Sequence, residues 1–175
     1  RETGLQLQVI SPREEARLSV AGCVGLLDRR TRAALVVDVG GGSTELSWVE
    51  LDGEGGPGNG RMPPIRAWLS IPIGVVTLAE RYPEARPGER EWFRGMVEAV
   101  KEPLAAFRHA DSMRPVFDGG EAHLIGTSGA ITSLAGLHLG LERYERSRVD
   151  GLWLTQADCD ATADRLLDLD QRSRA

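Results

Sequence analysis

Within eight residues the sequence sets a carboxylate, three glycines, two hydroxyls and a second carboxylate: Asp38, Gly40, Gly41, Gly42, Ser43, Thr44 and Glu45. This is a set that phosphate chemistry can use. Glycines permit positive φ and let backbone N–H groups approach a ligand with no Cβ in the way. Successive N–H groups in such a turn form a concave nest for phosphate oxygens. A carboxylate at a strand end can hold Mg²⁺ beside that phosphate. A plain hairpin turn uses glycines too, but it requires none of the acidic or hydroxyl groups. The stretch is neither a Walker loop nor a dinucleotide fingerprint, because it lacks the Gly-Lys-Ser/Thr ending and no helix opens after it.

The elements that must hold this loop are legible on both sides. Ala33 to Val39 is an apolar, β-branched run ending at the carboxylate, the pattern of a buried strand. A second strand pattern runs from Thr44 to Leu51. A phosphate loop between two strands points to an actin-like, ribonuclease-H-like ATPase fold. The expected class is therefore α/β: a mixed sheet, three antiparallel strands first, then parallel strands flanked by helices.

Asp38 to Leu46 closely resembles the phosphate-loop motif of the exopolyphosphatase/guanosine pentaphosphate phosphohydrolase family. Ile10 to Leu18, Ile73 to Tyr82 and Ile125 to Ala135 resemble further segments of that family, in the same order. The resemblance implies roles residue by residue. In Ile10-Ser11-Pro12-Arg13-Glu14-Glu15-Ala16-Arg17-Leu18, the second glutamate occupies the position of the family's catalytic base, which orients and deprotonates the attacking water. Read from the residues alone, Glu15 is in the first place a first-turn acid complementing a helix dipole. Asp38, with Glu45, would hold Mg²⁺ or another divalent cation. Gly40, Gly41, Gly42 and Ser43 would cradle phosphate oxygens, joined by Gly126, Thr127, Ser128 and Gly129 from a strand–turn–helix unit. That unit is a ready anion site by its free N–H groups, and otherwise a tight turn with a serine cap. The family usually carries Thr where this chain has Ala130.

The implied activity is hydrolysis of a terminal phosphoanhydride, with polyphosphate or guanosine pentaphosphate as substrate. A non-catalytic module that senses polyphosphate or nucleotide is the alternative from another class. An actin-like kinase would need an acceptor-binding domain and an adenosine pocket, which the sequence does not display. The family is usually built from two actin-like domains, each giving a phosphate loop, and the usual first loop is not in this chain. Residues 1–175 therefore read as the second such domain. The missing first domain is its expected partner, and a homodimer is allowed for.

Composition bounds the classes. At 175 residues the chain can enclose one real core. No run approaches the roughly 18–20 apolar residues of a membrane span, and no secretory signal opens the chain. A net charge of −5 argues against a nonspecific nucleic-acid binder. Cys23 and Cys159 form no metal or redox spacing, and His109, His123 and His138 match no metal pattern. A reduced, cytoplasmic setting fits.

Along the chain, Leu5 to Ile10 alternates like a short strand. Ser11, Pro12 and Glu14 then carry a capping box and a first-turn proline, opening a helix to about Gly22 with Ala16, Leu18 and Val20 inward. Asp52 to Pro64 reads as a glycine- and proline-rich connection and Ile65 to Ile71 as a third strand. A short helix is expected over Val75 to Tyr82. Glu89 to His109 reads as a long amphipathic helix with a core stripe of Phe93, Val97, Val100, Leu104 and Phe107, kinked or divided at Pro103. His123 to Ile125 is a strand and Ala130 to His138 a helix. Leu139 to Gly151 is irregular, and Thr155 caps a last helix to about Leu169, with Cys159 on its inner face.

Overall fold

A computed structural model describes residues 4, 6–51, 62–84, 90–107, 109–170 and 173. Four strands form one mixed sheet in the order β3-β2-β1-β4. They are β1 (Ala33–Val39), β2 (Thr44–Glu50), β3 (Ile65–Ile71) and β4 (Ala122–Thr127). The β1–β2 and β2–β3 pairs are antiparallel and β1–β4 is parallel. The expected mixed sheet is what forms. The connection over 52–61 lies outside the described residues.

One face of the sheet is covered by α1 (Pro12–Cys23), whose buried Ala16, Val20 and Cys23 follow helical spacing. Val20 and Cys23 pack with Leu27 against Ala34, Val36, Val49, Leu51 and Ile125. Fully burying one such Val is worth about 1.5–3 kcal/mol, so this layer fixes where α1 lies on the sheet. Leu18, expected inward, is instead exposed. The opposite face carries Ala67, Phe107 and Met113, with Trp48, Leu69 and Phe117 packed around them. The Trp48 and Phe117 rings sit 5.6 Å apart.

The remaining helices are α2 (Val75–Arg81), α3 (Glu91–Ala105), α4 (Ala110–Asp118), α5 (Ser128–His138), α6 (Arg146–Val149) and α7 (Gln156–Asp168). Three sequence expectations are corrected. Gln6 to Ile10 forms no strand; Leu7 and Val9 project into solvent, with no neighbouring strand to pair the backbone. The long helix forms as α3 with Pro103 inside it but ends at Ala105, short of His109, and a separate helix, α4, follows beyond the expected range. Of the expected core stripe only Phe107 is fully buried. Helix α4 escaped the sequence reading because Pro115 lies inside it. Cys159 is half-buried on α7, a position partly open to solvent. Among the described residues no helix is long and apolar enough to cross a membrane.

Candidate active site

The strand registers build the site. Asp38 pairs with Glu45 across β1–β2, Glu45 with Ser70 across β2–β3, and Asp38 with Thr127 across β1–β4. Residues opposite one another share a face. Ser70, Glu45, Asp38 and Thr127 thus form one polar row across the end of the sheet, on the side covered by α1. Helix α1 meets this row directly, since the Ser19 hydroxyl donates to Asp38 Oδ2. Ser70 Oγ donates to Oε1 of the buried Glu45 at 2.9 Å. The Thr127 Oγ1 is buried with no hydrogen-bond partner.

Glu15 lies one turn before Ser19 on the same flank of α1. Its carboxyl is raised above the usual range, first by the charge of Glu45, then by desolvation, then by Asp38. Glu15 therefore lies within reach of the charges of both carboxylates at this edge. Glu14 points elsewhere. Its backbone N–H takes the Ser11 cap at 3.2 Å, but its carboxylate forms a two-pronged pair with Arg17 at 2.7 and 2.9 Å. The reciprocal half of the expected capping box is not made, because Arg17 one turn on offers a charged donor.

The first glycine-rich turn is a four-residue hairpin, Gly40 to Ser43, closed by Gly40 N–H to the Ser43 carbonyl at 3.0 Å. The N–H groups of Gly41, Gly42 and Ser43 have no acceptor among the described residues. None of its glycines uses positive φ. At Gly40 the value is space: a Cβ there would stand 3.1 Å from the Ser43 carbonyl oxygen, tighter than ordinary contact, whereas a Cβ on Gly41 or Gly42 would be accommodated. The left-handed conformation falls instead on Ser128, at φ 77°. A non-glycine residue there is strained, and such strain clusters at functional turns. Ser128 opens α5 directly, two residues earlier than expected. Gly126 is required for close packing, since a Cβ would fall 2.7 Å from Ile131 Cγ2. Parallel pairing of β1 with β4 sets this second turn beside the first loop.

Asp38 and Glu45 offer two adjacent carboxylates, an all-oxygen donor set suited to Mg²⁺, which commonly takes one or two carboxylates and completes its shell with water and phosphate. No three acidic, His or Cys side chains stand together as a metal-binding group among the described residues. The donor chemistry fits a hydrated Mg²⁺ better than a cation needing a full protein cage.

Sequence reasoning missed Ser19 and Ser70. Ser19 could have been found from its spacing of four from Glu15, and Ser70 only once the β2–β3 register is known. A cavity of about 360 Å³ lined by Arg13, Arg17, Pro63, Ile65 and Trp68 lies on the other flank of α1. Arg13 and Arg17 are each about 200° around the helix from Glu15, so this cavity is not the phosphate site.

The fold is α/β, a mixed sheet flanked by helices, and comparison with known proteins gives the family. Residues 1–175 match the Ppx/GppA phosphatase family, and the chain belongs to it. It is 28% identical over 172 residues to exopolyphosphatase 2 of Mycobacterium tuberculosis, covering 98% of this chain and 49% of that protein. An exopolyphosphatase-like protein of known crystal structure superposes with a TM-score of 0.76 at 32% identity, over 98% of this chain and 51% of that one. The Aquifex aeolicus PPX-GPPA enzyme gives 0.76 at 26% identity, over 99% and 51%. The sheet and its flanking helices thus match the actin-like domain structures of this family. The chain spans about half the length of the relatives it matches.

Proposed function

We propose that this chain is the second actin-like, phosphate-loop domain of a hydrolase that releases terminal phosphate from polyphosphate or guanosine pentaphosphate. What supports the reading is Glu15 on α1, an exposed side chain near enough to Glu45 and then Asp38 for their charges to raise its carboxyl. A glutamate serving only a helix dipole has no need of that placement. A Glu15 turned to solvent favours a purely sensing module, and the Glu15 side chain is exposed in this chain.

Phosphoryl transfer asks for positioning and charge neutralisation more than covalent chemistry. The free N–H groups of Gly41, Gly42 and Ser43 receive oxygens of the terminal phosphate. The turn Gly126 to Gly129 holds a neighbouring phosphate, with Thr127 Oγ1 as an unspent donor. Asp38 and Glu45 would hold Mg²⁺, which when bound neutralises phosphate charge and stabilises the leaving oxygen. Glu15 takes the proton of the attacking water as the anhydride P–O bond breaks. Its raised carboxyl makes it a stronger base than an ordinary glutamate. Ala130 brings no hydroxyl, so any side-chain contact there is lost while the backbone donors remain. A first domain supplying the opposite wall completes the site, in a reducing compartment that suits the free thiols of Cys23 and Cys159.

The test is phosphate release by the full-length protein from both substrates, with and without Mg²⁺. Mg²⁺-dependent release from either supports the reading. Tight binding of both with no release supports the sensing module and overturns it.

A further inference from the structure

The segment that opens α2 is not part of the site described so far, yet it touches the first phosphate loop closely. Val75 N–H donates to the Gly40 carbonyl at 3.0 Å, Val76 N–H to the Gly41 carbonyl at 2.9 Å, and Thr77 N–H to the Gly41 carbonyl at 3.3 Å. The first turn of any helix has N–H groups without intrahelical partners, and here the loop carbonyls take them.

The consequence follows from peptide geometry. In a trans peptide the C=O and the next N–H point in opposite directions. Holding the Gly40 carbonyl toward α2 turns the Gly41 N–H away from it, and holding the Gly41 carbonyl does the same for Gly42. Two of the three free donors of the loop are thereby aimed from behind.

The approach is as close as a backbone allows. A Cβ on Gly74 would stand 2.4 Å from the Gly40 oxygen and 2.5 Å from the Gly41 carbonyl carbon and oxygen. Thr77 Oγ1 accepts from Gly74 N–H at 2.8 Å and donates to Gly74 O at 2.9 Å, fixing the entry to the helix. Thr44 Oγ1 donates to the Ile73 carbonyl at 2.8 Å, tying the preceding residue to the far end of the loop.

We propose that Gly74 and the N–H groups of Val75 and Val76 are positioning elements that aim the Gly41 and Gly42 donors at phosphate. This rests on the reading of Gly40 to Ser43 as a phosphate loop. The residues act through the loop and do not touch the ligand.

Val75→Pro isolates the effect in the full-length protein. Val75 is the first helical residue and is exposed, a position where proline is favoured. Gly74 already has an extended conformation compatible with a following proline, at φ −136° and ψ −176°. The substitution keeps the helix start, removes the donor to Gly40, and sets the ring Cδ where the N–H pointed, which turns the Gly40 carbonyl away. The measurements are the dissociation constant for inorganic phosphate by calorimetry, amide hydrogen exchange of the loop without ligand, and the melting temperature. The expected result is binding weakened about tenfold, the worth of one hydrogen bond to a charged group. Loop exchange should be faster and the melting temperature nearly unchanged. Gly74→Ala should weaken binding further; if it does not fold, Val75→Pro decides. Phosphate affinity and loop exchange both equal to wild type in Val75→Pro would overturn the proposal. If the wild type itself binds no phosphate, the functional reading fails, and loop exchange in Val75→Pro still decides the positioning.

Discussion

Ser70 and Glu45 are partners twice over: their Cα atoms are in register across β2–β3, and Ser70 Oγ donates to Glu45 Oε1 at 2.9 Å. Glu45 is nearly sealed from water, 3% exposed, so this hydroxyl satisfies a carboxylate that would otherwise lack solvation. Ser70→Ala should therefore cost about 1–3 kcal/mol of stability, the penalty of an unpaired buried acceptor. Ser70→Thr, which keeps the hydroxyl, should recover much of it. Chemical denaturation of the three proteins checks this, and an unchanged midpoint in the alanine variant would remove Ser70 from the account.

His123 sets a second expectation, at the other end of β4. Its Nε2 accepts the Asp28 N–H at 3.3 Å, so Nδ1 carries the proton and donates to Thr31 Oγ1 at 2.9 Å. Burial lowers its pKa, with the Asp28 charge partly opposing. Asp28 itself is lowered to about 2, mainly by hydrogen bonds from Arg30, and stays ionised throughout the window that matters. With the folded value below the unfolded one, about 6.5, the unfolded chain binds the extra proton first. His123 is thus neutral at no cost above that pH, and stability falls as pH drops below it. Melting temperatures of wild type and His123→Gln between pH 5.5 and 7.5 should diverge in slope, the wild type losing more on acidification. Parallel slopes would show that His123 titrates alike in both states.

Asp38→Asn should raise the Mg²⁺ concentration needed for half-maximal rate while the fold persists, because the amide keeps a partner for the Ser19 hydroxyl. An unfolded variant, or an unaltered Mg²⁺ requirement, would make Asp38 structural.

Much of this site was readable from residue types, and what was missed has physical causes. Asp38, Glu45 and the two glycine-rich turns announce themselves because each combines a strand pattern with chemistry that packing does not require. That the two turns lie side by side depends on β1 pairing with β4 across more than eighty intervening residues, a contact that follows only from the topology of the fold. Ser19, Ser70 and Gly74 look ordinary in sequence; their roles come from register and close approach. The glycines misled in one respect, since the left-handed residue of the two turns is Ser128, and of Gly40 to Gly42 only Gly40 is held to a tight contact distance. The Leu5 to Ile10 alternation was a fair strand pattern, but residues 6–10 find no partner strand here.

The 175-residue chain by itself should bind phosphate or sulfate and turn over little, because only one wall of the proposed site is present. Phosphate release from this piece, set beside the full-length protein, checks that. Equal rates would contradict the two-domain reading.

The central claim is that Glu15 is the base, and the adjacent glutamates provide the comparison. Glu14 is paired with Arg17, and Glu15 is coupled to Glu45 and Asp38. Glutamine keeps the size of either side chain and removes its capacity to accept a proton. The decisive measurement is kcat for phosphate release at saturating substrate and Mg²⁺, on folded full-length Glu15→Gln and Glu14→Gln. The account predicts a loss of about 10²–10⁴-fold for Glu15→Gln with melting temperature nearly unchanged, and near-wild-type kcat for Glu14→Gln. Equal losses in the two variants, or a Glu15→Gln that stays near wild type, would contradict it.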